Sequence, residues 1–158
     1  MATDYFALVD RIVEERKYFD ISRSELVLLL EAKGEADIET EHQTTDDYAN
    51  SCSVVLRLNI HCKHPKYVEG WTIALKLHNT RIDGLDFELK YTGGDGALHS
   101  GWHRHIWDHR LQSAEKNKVP AQDLNGIGSR EEFLIRALKF FRIDLNATDY
   151  GTDSLPFA

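Results

Sequence analysis

Hydrophobic positions change period along the chain, and the period separates helices from strands. Phe6, Val9, Ile12 and Val13 recur every three to four residues, with Leu8 beside the stripe, which predicts an N-terminal helix. Thr3 or Asp4 can cap it, and Glu14–Lys17 supplies its wet face. Ile21–Arg23 is a connector where Ser22 and Ser24 break the pattern. Glu25–Ala32 (ELVLLLEA) is an apolar run too short for a helix, and it predicts a strand buried on both faces that Lys33-Gly34 ends. Glu35–Asp47 holds six carboxylates and no Lys or Arg, and is expected as a solvated acidic loop.

Strict alternation follows. In Ser51–Cys62, Val54, Leu56, Leu58, Ile60 and Cys62 oppose Val55, Arg57, Asn59 and His61. Gly70–His78 and Leu85–Tyr91 alternate in the same way, and Lys63–Lys66 turns around Pro65. Asn79–Gly84 has turn chemistry, with Asp83-Gly84 favouring a tight reversal, and Gly93–Gly96 is a further turn. After the polar, irregular Gln112–Gly128, Ser129 and Glu132 form a capping box. Phe133, Leu134, Ala137, Leu138 and Phe141 then mark one face of a helix ending near Ile143. Residues 146–158 read as a loose tail. The sum, over residues 1–158, is a single α+β domain: a mainly antiparallel sheet of about five strands with an N-terminal and a C-terminal helix.

Composition narrows the function classes. Apolar residues make up 42% and charged ones 28% of 158 residues, which suits a folded globular chain. A net charge of −7 excludes a bulk basic surface of the kind used for non-specific nucleic-acid binding. No apolar run nears the ~20 residues that span a membrane. The acidic, amphipathic start lacks a basic n-region and cleavage site, so a cytoplasmic protein is expected. Cys52 and Cys62 form no disulfide framework. The glycine loop precedes no helix, so no organic cofactor is expected.

Candidate chemistry concentrates in Leu98–Arg110, which carries four histidines, two tryptophans, two arginines and one aspartate. On an extended chain His103 and His105 share one face, where their rings can meet one substrate or one metal ion. Imidazole titrates near neutral pH, so the pair also suits acid–base work at a phosphoryl group. Arg104 points to the opposite face, and Asp108 and His109 complete the constellation. His61-Cys62-Lys63-His64 has metal-ligand residue types, but neighbouring positions point apart, which favours structure. Arg81 and Asp83 share parity before a turn. No His-Glu-x-x-His motif occurs, and neither His103-Arg104-His105 nor His64-Pro65-Lys66 fits the His-x-Ser/Thr pattern that a two-histidine phosphoesterase needs.

On these residues the run from Trp71 through Ile143 resembles the TumE-like toxin family of bacterial and archaeal toxin–antitoxin modules and related uncharacterised small domains. The shared outline is Arg81-Ile82-Asp83, the loop Gly93–Gly96, His103-Arg104-His105-Ile106, and the helix opening at Ser129. Nineteen residues separate Asp83 from His103 here, more than in the toxin-like members, and the N-terminal helix and acidic run have no counterpart. The resemblance implies a small effector acting on RNA and neutralised by a cognate antitoxin protein. Its site would be His103, His105, Arg104, Asp108, Arg81 and Asp83.

Two other readings use the same stretch. One is a non-enzymatic, host- or phage-encoded interaction module anchored by Trp102, Trp107 and the acidic run. The other is a metal-binding domain, which ranks behind acid–base chemistry; on that ranking, protein purified without a histidine tag is expected to contain less than one equivalent of zinc, nickel or iron, and stoichiometric metal would reverse the order. Whether the chain is an enzyme is left open by its residues.

Overall fold

The computed structural model describes residues 2–64, 67–147 and 153–154. Helix α1 spans Ala2–Glu14 and buries Val9 and Ile12 completely. It already includes Thr3 and Asp4, the expected caps. Lys17, expected on the wet face, is fully buried. Its Nζ donates to the carbonyls of Ile12 at 2.8 Å and Glu15 at 2.6 Å, closing the end of α1. Burial pulls the Lys17 pKa down to about 8. Lys17 also opens strand β1 (Lys17–Ile21), an element the pattern did not predict, and the expected connector Ile21–Arg23 shortens to Ser22 between β1 and the next helix.

Glu25–Ala32 is not a strand. Helix α2 (Arg23–Glu31) starts at an N-cap, Ser22, whose hydroxyl accepts from the Glu25 backbone N–H at 3.0 Å. Leu26 and Leu29, three apart, face the core, while Val27 and Leu28 remain exposed. A run of consecutive leucines hides this one-sided burial.

The acidic run is not a loop either. Strand β2 (Glu35–Thr45) turns Ile38, His42 and Thr44 inward and its carboxylates outward. On its partner β3 (Ser51–His61), Arg57 bridges Asp37 and Glu39, and Asn59 donates to Asp37 at 2.8 Å. Opposite charges paired across neighbouring strands stabilise such an edge, and a charged edge resists pairing with other chains.

β4 (Thr72–Leu77), β5 (Thr80–Thr92), β6 (Leu98–Ile106) and β7 (Lys118–Pro120) complete the sheet. The order is β2-β3-β4-β5-β6-β7, each neighbour antiparallel. It is an α+β fold whose larger sheet has six strands rather than five, because β2 and β7 join while Glu25–Ala32 leaves. The β4–β5 reversal falls at His78-Asn79, with φ of 50° and 63°, and not at Asp83-Gly84. Pro65 and Lys66, the expected β3–β4 turn, lie outside the described residues.

Ser129 caps α3 (Arg130–Phe140) by accepting from the Glu132 N–H at 3.1 Å, while Glu132 reaches back to Gly128 instead of Ser129. α3 stops before Ile143, which begins β8 (Ile143–Ala147), parallel to β1 and followed by β9 (Asp153–Ser154). Asn146 and Ala147 are thus strand, and apart from β9 the rest of the expected tail lies outside the described residues. α3 packs on one face of the six-stranded sheet, with the Phe133 ring 5.1 Å from Trp102 and 5.7 Å from Trp71. Trp102 is core, not an exposed anchor, and Trp107 packs against Tyr5 and Phe6 of α1. The opposite face carries the polar residues of the central strands, and the site lies there. Among the described residues no helix is long and apolar enough to cross a membrane.

Candidate functional site: a buried histidine–aspartate cluster

β6 delivers both histidines to one face, as alternation requires. Their ring centroids are 5.1 Å apart. Both rings are buried, at 0% and 1% exposure, so no open groove surrounds them. Across the strand pair His103 faces Asp86 and His105 faces Gly84. Asp86 is the missing third member: its carboxylate and the two imidazoles have one ligand atom each within 4.8 Å of one another.

Hydrogen bonds set the ring orientations. Nδ1 of His103 faces the Gly101 carbonyl at 3.3 Å, and Nδ1 of His105 the Ala114 carbonyl at 3.2 Å. Both Nε2 atoms therefore point toward Asp86 Oδ2, at 3.8 Å from His103 and 2.7 Å from His105. At His105 both nitrogens lie within hydrogen-bond distance of oxygens, the Ala114 carbonyl and Asp86 Oδ2. Nε2 of His103 is buried without a hydrogen-bond partner. Burial lowers the His103 pKa, which favours the neutral ring and leaves a lone pair at that nitrogen.

Two irregularities in β5 build the rest. A register shift against β4 moves Arg81 onto the site face while Asp83 stays on the core side. Arg81 then lies across Gly84, where a Cβ would come within 2.1 Å of the guanidinium, so any side chain at 84 would displace the arginine from its place over the strand. It donates to Asp86 Oδ1 at 2.7 Å and Oδ2 at 3.2 Å, and to Glu115 at 3.2 Å. Thr72 also bonds Asp86 Oδ1. Burial pushes the Asp86 carboxyl up, but hydrogen bonds from His105 and Arg81, with their charges, hold it well below its usual range. A second shift, between Glu88 and Tyr91, brings the Tyr91 ring within 4.0 Å of His103.

Arg104 and Asp83 are elsewhere. They form a bidentate pair at 3.0 and 2.8 Å on the core side of the same strands, and Arg104 also reaches the Phe140 carbonyl. Asp108 starts the loop after β6 and accepts from the Arg110 and Leu111 N–H groups, a turn-forming role. His109 leaves the strand and pairs with Asp10 of α1. Of the six residues expected at the site, the fold gathers His103, His105 and Arg81. Asp86, overlooked in the sequence, shares parity with Glu88 on a strand whose charged side needed no explanation.

Fold and site together define an α+β domain with a buried His–His–Asp cluster on the polar face of its sheet. No protein-family model, no curated protein and no solved structure matches this chain.

Proposed function

We propose that the protein binds one divalent transition-metal ion at Asp86, His103 and His105. The observation that carries this is the buried, unpartnered Nε2 of His103, aimed at a carboxylate that a second imidazole already touches. Leaving a buried polar atom unmade costs on the order of 1–3 kcal/mol, and a cation at that point removes the cost. Metal-binding histidines characteristically tie their other nitrogen to a carbonyl or carboxylate, and both rings here do so. Asp86 is likewise prepared: Thr72 and Arg81 hold Oδ1, and Oδ2 faces both rings. The Arg81 charge opposes a dication, and Glu115 beside it offsets that opposition. Two imidazoles and one carboxylate suit zinc, iron(II) or cobalt, whereas calcium and magnesium prefer all-oxygen shells.

An RNA-directed effector, the reading the toxin resemblance favours, would use the same histidines for proton transfer. Their burial ranks it second, because Ala114 lies against His105 and the Tyr91 ring against His103, and a phosphodiester would have to displace such neighbours to reach the rings. A buried ion needs no such opening.

Tag-free protein supplied with zinc or cobalt(II) and then desalted should retain about one equivalent, and His103→Ala should retain none while keeping its circular dichroism spectrum. Metal-free parent protein after that treatment would refute the proposal.

A further inference from the structure

His103 Nε2 faces two carboxylates, and only one has been used. Glu88 Oε1 lies 3.7 Å away, as close as Asp86 Oδ2 at 3.8 Å. Neighbouring ligand atoms around a tetrahedral ion with bonds of ~2.0–2.1 Å sit about 3.3–3.4 Å apart. Both separations approach that edge length without being hydrogen bonds. Glu88 approaches the cluster at His103, on the Nε2 side of the ring. Glu115, the other nearby carboxylate, lies 4.0 Å from His105 Nδ1, which is the back of that ring. Position therefore selects Glu88.

Resting on the metal reading above, we infer that Glu88 is the fourth ligand of the ion and that Lys118 of β7 competes for its carboxylate. Lys118 Nζ is 3.3 Å from the same Oε1 that faces His103. One oxygen cannot serve an ammonium and a metal at full strength. The Glu88 side chain is 38% exposed, so its carboxylate has room to swing in from His103 toward Asp86 and His105, which lie within 4.8 Å of His103 and of each other without it. Four protein ligands close a tetrahedral site, the pattern of a structural ion rather than a catalytic one with an open position. A closed ion also fits the burial of both imidazoles. Binding would stitch β5 to β6 on the face opposite α3 and free Lys118 at the sheet edge.

Cobalt(II) titration of the full chain tests this, read by visible absorption and by competition with a chelator. The parent should show the intense bands of four-coordinate cobalt. Glu88→Gln should weaken binding by at least 10-fold, a loss of the size seen when outer metal-site partners are removed (roughly 10–100-fold). It should also shift the bands, as water replaces the carboxylate. Lys118→Met should bind several-fold tighter with unchanged bands. Parent binding combined with an unaltered affinity and spectrum in Glu88→Gln would overturn the fourth ligand and leave the three-ligand site standing. A parent that binds no cobalt would overturn both. Circular dichroism of each variant separates ligand loss from unfolding.

Discussion

β5 and β6 hold an arginine–aspartate pair on each face, and the pairs meet opposite fates. On the core side Arg104 grips both oxygens of Asp83, whose Oδ1 also accepts from the Gly84 N–H. Burial pushes the Asp83 pKa up in spite of that arginine. On the outer side Asp86 is buried too, yet donors from Thr72, Arg81 and His105 converge on it and its pKa falls. One guanidinium does not outweigh desolvation, whereas several convergent donors do. The lesson concerns completeness. The Asp83–Arg104 pair matches its own groups and binds two strands to the end of α3. The Asp86 network ends at a nitrogen with nothing to bind, and that gap is where chemistry can enter.

The sharpest break of this comparison is Asp83→Ala. Removing one partner of a buried pair strands the other and costs about 3–5 kcal/mol. The Arg104 side chain is 25% exposed, so the lower end applies. Denaturant unfolding should show that loss, and metal retention by the folded protein should be unchanged. Asp83→Leu combined with Arg104→Met should recover most of the stability, because well-packed apolar replacements of buried pairs are often neutral or better. No analogous apolar repair of Asp86 with Arg81 should restore metal. A double variant as unstable as Asp83→Ala would mean that the core pair does more than satisfy itself.

How much of this was legible follows the same division. Alternation in Ser51–Cys62 and in the histidine stretch found β3 and β6, and it placed His103 and His105 on one face. It found neither register shift in β5, since nothing in Thr80–Thr92 announces an extra residue, and so Arg81 was grouped with Asp83 instead of Asp86. The β2 error was chemical: its inward positions include Thr40, His42 and Thr44, and polar residues on both faces conceal a period of two. The start of α2 does carry a local signal. Ser22…Glu25 has the spacing of Ser129…Glu132 and makes the same cap, but the consecutive apolar residues after Glu25 mimic a buried strand.

A milder test asks whether the faces are energetically separate. Ser129→Ala removes the hydroxyl that accepts from Glu132 and should cost about 1 kcal/mol. α3 packs by Phe133 against Trp102, on the core side of the strand that bears both histidines. If the faces are independent, the unfolding midpoint drops while cobalt affinity holds. A fall in affinity at a temperature where the protein remains folded would show strain crossing β6.

The smallest effect leaves stability untouched and reads how dry the core face is. Cys52 and Cys62 share the inward side of β3 and its extension, and both are free thiols. Cys62 is 1% exposed, and burial pushes its pKa up to about 12. Since the thiolate is the reacting species, it should be inert at pH 8. Cys52 is only half-buried, near the strand end by Tyr48, and reagent can approach it. A disulfide-exchange reagent such as Ellman's should titrate one thiol in the native protein and two in denaturant. Metal at the outer face should leave the native count at one, because β4 and β5 separate β3 from β6. Two fast thiols in the native state would mean that the core opens at the Cys62 end of β3. The contrast would then fail, with water reaching the face that was taken to be closed.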